Sequence, residues 1–143
     1  MEKEKLLIAP VELTPEIRAQ FAALLGAKYD TGGGLCGVRD LLDGCALFEV
    51  SRGAELVGHY ALKVEQRAHG NEGVIVGAIG ADPGGRGRAP LTRHVLPLLE
   101  QQFIDARAIT IYTRRLGLVR ELARQGYTCE GFIMRKRRQG GTA

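Results

Sequence analysis

The pattern of hydrophobic and polar positions first defines a strand, a turn, a helix and a second strand between residues 71 and 113. Residues 73–81 form an apolar run without charge, which is typical of a strand buried on both faces. From Pro90 onward apolar side chains recur at helical spacing, and residues 108–113 are again β-branched and aromatic. This order predicts a right-handed parallel crossover. The turn after the first strand is therefore the expected ligand site.

The remaining pattern predicts further strands and helices on either side of this unit. The expected strands cover residues 6–9, 45–50, 55–65 and 132–136, and the expected helices cover residues 14–25, 37–42 and 118–127. If the hairpin from 55–65 into the central strand is regular, Glu65 lies near Glu72, and His59 lies near Ala78 or Ile79. Pro97 predicts a kink one turn earlier in its helix, at Arg93. The predicted fold class is α/β, a mixed β-sheet flanked by helices on both faces.

Length and composition fit one domain without a membrane span. The chain has 143 residues, 45% of them hydrophobic and 25% charged, as in an ordinary soluble globular protein. We expect a single domain at 1–138 and a flexible tail at 139–143. No apolar run has transmembrane length and the start does not suit a signal peptide, so a cytoplasmic location and no membrane contact are expected. Three cysteines (Cys36, Cys45, Cys129) follow no ligand pattern, so we predict buried free thiols and no metal.

The basic charge is concentrated in the last part of the chain. Residues 114–143 hold eight basic and two acidic groups, a net charge of +6, whereas residues 1–113 hold twelve and fourteen, a net charge of −2. Such a patch could contact nucleic acid or an acidic partner. The alternative is a solvated helix face followed by a basic tail, and we favour it because no aromatic residue interrupts the basic run at 135–138.

The turn after the central strand carries the chemistry of an anion site. Residues 82–88 contain three glycines, which let the backbone approach a ligand closely, and two arginines, which match phosphate geometry. Free N–H groups at the start of the following helix add to such a cradle. No Gly-Lys-Ser/Thr follows, so the turn is not a Walker loop. The alternative is a plain surface turn, and the sequence favours a phosphate or pyrophosphate site.

At these residues the chain resembles the GCN5-related N-acetyltransferase (GNAT) family. Residues 81–89, Ala-Asp-Pro-Gly-Gly-Arg-Gly-Arg-Ala, look like that family's strand end and its acyl-CoA loop. Residues 118–127 and 132–136 are similar to its last helix and final strand. Two positions depart from the motif, because its glycine falls on Ala89 and its last small residue falls on Leu91. The tyrosine that many members use as general acid falls on Leu122.

The resemblance implies acetyl-CoA, or another acyl-CoA, as co-substrate. The strand end at Ile79, Gly80 and Ala81 would orient the thioester, and the loop residues Arg86, Gly87, Arg88 and Ala89 would bind the coenzyme A pyrophosphate. In the family, the loop between the first two helices lines the acceptor pocket. Here that loop is Tyr29-Asp30-Thr31-Gly32-Gly33-Gly34, the most flexible stretch by composition. An ordinary mobile surface loop is an equal alternative.

Attack on the thioester requires a neutral amine, and therefore a base. Residues 73–81 offer no carboxylate, so His59 is the first candidate base and Glu72 the second. Tyr112 could protonate the leaving thiolate, although a core residue with a satisfied hydroxyl is the alternative we favour. For His59 we also favour the alternative of a half-exposed strand histidine with no role.

The sequence as a whole indicates an N-acyltransferase that moves the acyl group directly to a primary amine of a small molecule or protein. The alternatives are a non-catalytic binding module with the same fold, and a protein that acts on nucleic acid through its basic C-terminal third. A homodimer is permitted, because the final strand could join a partner's sheet.

Overall fold

The computed structural model describes residues 5–26, 30–81 and 93–139. The elements within these ranges are β1 (Leu6–Pro10), α1 (Pro15–Ala22), α2 (Val38–Leu42), β2 (Ala46–Arg52), β3 (Glu55–Arg67), β4 (Gly70–Gly80), α3 (Leu96–Glu100), β5 (Ala106–Ile111) and α4 (Leu116–Arg124). Among the described residues, no helix combines the length and the apolar composition that crossing a bilayer requires.

The strands form one mixed sheet in the order β1-β2-β3-β4-β5. The first four strands are antiparallel neighbours, and β5 runs parallel to β4. The register of the long β3–β4 hairpin places Glu65 opposite Glu72 and His59 opposite Ile79, as the pattern predicts. The predicted α/β class with a mixed sheet is thus confirmed.

Helices cover the sheet on both faces. Tyr60 and Ala61 are neighbours on β3, so their side chains point to opposite faces, and each belongs to a different apolar cluster. The cluster around Tyr60 includes buried residues on the α3 and α4 side of the sheet (Val95, Leu96, Leu99, Phe103, Leu122). The cluster around Ala61 includes Ile17 and Phe21 of α1 and partly buried residues of α2. The core is therefore two layers, one on each side of the sheet.

Helix α1 shows how local sequence sets the ends of an element. The Thr14 hydroxyl accepts a hydrogen bond from the N–H of Ile17 at 3.2 Å, and Pro15 takes the first helical position, where its missing donor costs nothing. Ile17 and Phe21 face the sheet and are buried. The helix ends at Ala22, and the turn after it closes at Gly26 with a φ of 73°. Glycine adopts this conformation without steric cost.

The last part of the chain departs from the predicted strand at 132–136. No strand is formed between residues 128 and 138, and the side chains of Phe132 and Met134 are both 91% exposed. A strand exists only when a neighbour accepts its backbone hydrogen bonds, and within the described residues β5 pairs with β4 alone. The apolar pattern of this segment is real, but the prediction of a strand here is wrong for the single chain.

Two other sequence expectations need correction. Helix α3 begins at Leu96, so Pro97 lies in its first turn, where proline needs no donor, and it produces no kink at Arg93. The cysteines are not buried, because Cys36 and Cys129 are exposed and Cys45 is half-buried. Burial raises the pKa of the Cys45 thiol.

The contact of Gly73 with Phe103 makes a stability prediction. A Cβ at Gly73 would lie 2.6 Å from the ring of Phe103, a core side chain with 8% exposure. We expect Gly73→Ala to lower the free energy of unfolding by about 1–3 kcal/mol, because the ring must shift within a packed core. Gly117→Ala is the control, since nothing lies within 4 Å of that Cβ and alanine favours the α4 helix. Urea unfolding measures both, and equal stability of Gly73→Ala and wild type would contradict the packing.

Candidate active site

The sheet opens between β4 and β5 at the C-terminal ends of these two parallel strands. Strand β5 pairs with β4 only from Asn71 to Ile75 and ends at Ile111, whereas β4 continues to Gly80. Over residues 76–80, β4 is therefore paired with β3 and is no longer paired with β5. The crevice at the carboxyl ends of parallel strands is where open α/β sheets bind ligands.

The backbone of β4 presents polar groups to this opening. The N–H of Ala81 donates to the carbonyl of Val57 at 3.0 Å, which makes these two residues a hydrogen-bonded pair between β3 and β4. The next pair, Gly80 and Gly58, is therefore one whose N–H and C=O groups point away from the partner strand. The backbone N–H and C=O groups of Gly80 therefore point toward the side of β4 where β5 is no longer paired. The same holds for Ala78, two residues earlier.

This geometry refines the predicted contacts to the co-substrate. Of the three strand residues expected to orient a thioester, Gly80 has its backbone groups in the opening, whereas those of Ile79 and Ala81 face β3. The residues expected to bind the pyrophosphate, Arg86, Gly87, Arg88 and Ala89, lie outside the described residues. Those four assignments stay predictions.

His59 lies on β3 beside the opening. It is 9% exposed, and its cross-strand neighbours are Glu49 on β2 and Ile79 on β4. Because it stands two residues before Ala61, its side chain is on the sheet face that α1 and α2 cover. The histidine is thus buried rather than half-exposed, and it lies one strand away from the opening.

Glu72 lies at the other end of β4. It is seven residues before Ile79, a distance of roughly 23 Å along a strand. The Thr110 hydroxyl donates to one of its oxygens at 2.5 Å, and Arg67 forms an ion pair with the other at 3.0 Å. The hydroxyl contact first, and then Arg67, lowers the pKa of this carboxyl. Its distance from the opening and its two partners argue against Glu72 as the base.

Tyr112 follows directly after the end of β5. Its side chain is 59% exposed, so the interpretation of this residue as part of the core is wrong. Because Ile111 is the last residue paired with β4, at Ile75, the tyrosine stands where the two strands separate. It is therefore on the opposite side of the opening from Gly80.

A buried aspartate organises the loop of residues 30–34, which we call the Asp30 loop. Oδ2 of Asp30 accepts hydrogen bonds from the N–H groups of Gly26 at 2.8 Å and Gly34 at 3.0 Å, and Oδ1 accepts one from Gly32 at 2.9 Å. The bond from Gly26 is the main reason that the pKa of this carboxyl is lowered, against the opposing effect of burial. The side chain is 9% exposed. The Asp30 carboxylate thus fixes the backbone of the loop through hydrogen bonds from Gly32 and Gly34.

Three arginines from the basic C-terminal part bind the same loop. Their side chains donate to three carbonyl groups of the loop, Arg114 to Asp30 at 3.2 Å, Arg135 to Thr31 at 3.4 Å and Arg137 to Gly33. All three side chains are exposed. Part of the basic charge therefore lies against the loop between α1 and α2.

Comparison with known proteins places this architecture. No protein-family model matches the chain, and no curated protein matches its sequence. Solved structures do match, among them a glucosamine-6-phosphate N-acetyltransferase from Arabidopsis thaliana, with a TM-score of 0.59, 13% identity and coverage of 94% of this chain and 99% of that one. A ribosomal-protein-alanine N-acetyltransferase from Brucella melitensis biovar Abortus matches with a TM-score of 0.55 and 15% identity, over 94% of this chain and 99% of that one. A GNAT family acetyltransferase from Staphylococcus aureus matches with a TM-score of 0.52 and 12% identity, over 93% of this chain and 98% of that one.

The chain has the GNAT fold. The matches run over nearly the full length of both partners, so the likeness includes the N-terminal half, where the sequence resembles the family in element order alone. At these identities the likeness establishes the architecture of the protein.

Sequence reasoning missed three features of this site. Ala78 was not singled out, because the direction of a backbone group depends on the strand pairing. Asp30 was part of a loop that glycine content marked as flexible, although an aspartate followed by Gly32 and Gly34 is a known signal for side-chain-to-backbone hydrogen bonds. Arg114 is 84 residues from its partner, and no local pattern joins them.

The Asp30 carboxylate makes a pH-dependent prediction. Because its pKa is lower in the folded protein than its usual value of 3.8, the ionised group stabilises the fold at and above that value. We expect Asp30→Asn to cost about 1–3 kcal/mol at pH 7, since an amide cannot accept all three hydrogen bonds.

The difference between wild type and Asp30→Asn should shrink as the pH falls below 3.8 and through the folded-state pKa. Urea unfolding of both proteins between pH 7 and pH 3 measures it. Asp43→Asn is the matched control, because Asp43 caps the end of α2 on the surface. A difference that stays constant across this range would contradict the charged role of Asp30.

Proposed function

We propose that this protein is an acyl-CoA-dependent N-acyltransferase that transfers an acyl group, acetyl in the simplest case, directly to a primary amine. The observation that carries the proposal is the opening of the sheet between β4 and β5, with the backbone groups of Ala78 and Gly80 directed into it. Strand groups that have no neighbouring strand among the described residues suit an extended, amide-containing arm such as pantetheine, which can add to β4 as a strand would. The GNAT fold of the chain supports the same reading.

Acetyl-CoA would supply an activated acyl group as a thioester. In the proposed reaction, the amine nitrogen forms a bond to the acyl carbon, the carbon–sulfur bond breaks, and the ammonium proton leaves through a base. The backbone N–H of Gly80 would orient the carbonyl of the thioester, and the loop of Arg86 to Ala89 would hold the pyrophosphate.

His59 and Tyr112 are the side chains we propose for proton transfer. His59 is the buried titratable group that the β3–β4 register brings beside Ile79, and it would act in place of a carboxylate, which residues 73–81 do not offer. Tyr112 follows β5 at the opening and is exposed, which suits an acid for the leaving thiolate. Neither role extends to Glu72, which is engaged at the far end of β4.

The acceptor is a separate question from the fold. The matching acetyltransferases are named for different acceptors, glucosamine-6-phosphate in one and a ribosomal-protein alanine in another. The GNAT architecture is thus compatible with a small molecule or a protein as the amine. The cytoplasmic location, the single domain ending at 138 and a homodimer stay predictions.

Binding of the co-substrate is the first test. We expect calorimetry to show micromolar binding of acetyl-CoA to wild type, and Arg86→Ala to weaken it roughly ten- to a hundredfold, because a charge-assisted hydrogen bond to phosphate is lost. Arg107→Ala is the matched control, since Arg107 lies at the start of β5, far from the opening, and donates to the His69 carbonyl. If wild type does not bind acetyl-CoA, the proposed function is wrong.

Proton transfer is tested in the same proteins. Release of free coenzyme A thiol, measured with a panel of amino acids, amino sugars, polyamines and lysine peptides, identifies an acceptor. With that acceptor we expect His59→Gln and Tyr112→Phe each to lower kcat by a factor of about 100 or more, with unchanged affinity for acetyl-CoA, because each removes one proton-transfer group. Wild-type kcat in His59→Gln would exclude the histidine as base.

A further inference from the structure

A cavity of about 200 Å³ lies between the Asp30 loop and the basic C-terminal part. The residues that line it are Gly26, Asp30, Gly33, Gly34, Arg114 and Arg137. Three of its six lining residues are glycines, so backbone and guanidinium groups form much of its wall. Such a polar lining suits a small polar group better than an apolar one.

The charges around the cavity are unbalanced. Asp30 contributes one negative charge, and its carboxylate oxygens already accept three backbone N–H groups. Arg114 and Arg137 contribute two positive charges to the lining, and Arg135 adds a third beside it, on the Thr31 carbonyl. Among the described residues, the ion pairs involve none of these three arginines. The cavity therefore carries a net positive charge.

The arginines keep donors for a ligand. A guanidinium has five N–H groups in a planar fork, whereas the contacts to this loop use one each for Arg114 and Arg137, both to uncharged carbonyls. Three cations held against one five-residue loop repel one another, and an anion placed between them would relieve this repulsion. Bidentate geometry makes arginine the side chain that suits phosphate and carboxylate best.

The position of the cavity relates it to the opening in the sheet. A Cβ at Gly77 of β4 would lie 2.9 Å from Phe21 and 3.7 Å from Leu24. The end of α1 therefore packs on the part of β4 that is not paired with β5. On the other side, Arg114 follows the end of β5 at Ile111 by three residues. The Asp30 loop, which begins after α1 and is bonded to Arg114, thus bridges the two sides of the opening.

We infer that the acceptor of this enzyme carries an oxyanion, a phosphate or a carboxylate, which Arg114 and Arg137 bind above the Asp30 loop. Held there, the acceptor can extend its amine toward the end of β4. The inference rests on the proposed acyl transfer for its catalytic consequence, whereas the anion site itself can be tested without turnover. It selects amines with an anionic group from the wide range of acceptors that the fold permits.

Matched acceptors test the inference. The pairs are O-phosphoethanolamine against ethanolamine for phosphate, and 4-aminobutyrate against 4-aminobutanol for carboxylate, with kcat/KM measured by thiol release at fixed ionic strength. We expect the anionic member of at least one pair to be preferred tenfold or more. The pair with the larger preference identifies which oxyanion the site takes.

Substitutions assign the preference to the site. Arg114→Gln and Arg137→Gln should each reduce it tenfold or more through KM, with kcat and acetyl-CoA affinity unchanged, and Arg114→Lys should fall between glutamine and wild type. Arg138→Gln is the control, because it removes the same charge from the next position of the exposed segment and does not line the cavity. Circular dichroism checks that each variant is folded.

The outcomes separate this inference from the proposed function. Neutral acceptors used as well as anionic ones, or a preference unchanged by both glutamine substitutions, would overturn it even if acetyl-CoA binds. If no amine is acylated, binding of inorganic phosphate decides. Phosphate binding by calorimetry that is lost in Arg114→Gln and Arg137→Gln but kept in Arg138→Gln would support the anion site, and absence of phosphate binding to wild type would overturn it.

Discussion

The early end of the pairing between β4 and β5 is the constraint on which the rest of this structure depends. Two parallel strands normally satisfy each other's backbone groups along their whole common length, because an unpaired buried N–H or C=O group is costly. Here the pairing ends at Ile75 and Ile111, and β4 continues to Gly80 with one neighbour. Within residues 5–26, 30–81 and 93–139, the groups on this side of Ala78 and Gly80 have no strand neighbour. The opening proposed to bind the co-substrate is therefore a direct consequence of the sheet topology.

Two glycines allow close packing beside the opening between β4 and β5. At Gly58 a Cβ would lie 2.4 Å from the Ile79 carbonyl, and at Gly77 it would overlap the ring of Phe21, which is completely buried. Both glycines therefore let other atoms approach the backbone beside the opening. The α1 helix can rest directly on β4 for this reason, and the loop that follows it is brought over the end of the sheet.

Electrostatics then gives the loop its character. A loop with three consecutive glycines loses much conformational entropy on ordering. The Asp30 carboxylate offsets this cost with three charge-assisted hydrogen bonds, and the arginines of the C-terminal part close over the loop carbonyls. The same contacts that order the loop bring positive charge to its cavity. The order of the loop and the proposed anion site thus depend on the same contacts, and part of the basic charge lies at a defined place against the loop.

The sequence by itself determined the elements and their order. Apolar alternation and turn residues are local signals, so β1 to β5, the capped start of α1 and the register of His59 against Ile79 were predictable. The GNAT resemblance at residues 81–89 pointed to the fold that the structure has. The strand expected at 132–136 failed because a strand needs a partner, which its own residues do not specify.

Only the tertiary structure decided which side chains meet. It placed Glu72 in an ion pair far from the opening, exposed Tyr112 and buried His59. It also joined Arg114 to Asp30 across 84 residues of chain. Periodicity reports the neighbours that a residue has along a helix or strand, whereas a site is made of contacts between distant segments. Those contacts depend on strand pairing and on the direction of each backbone group, and neither quantity is encoded in a local pattern.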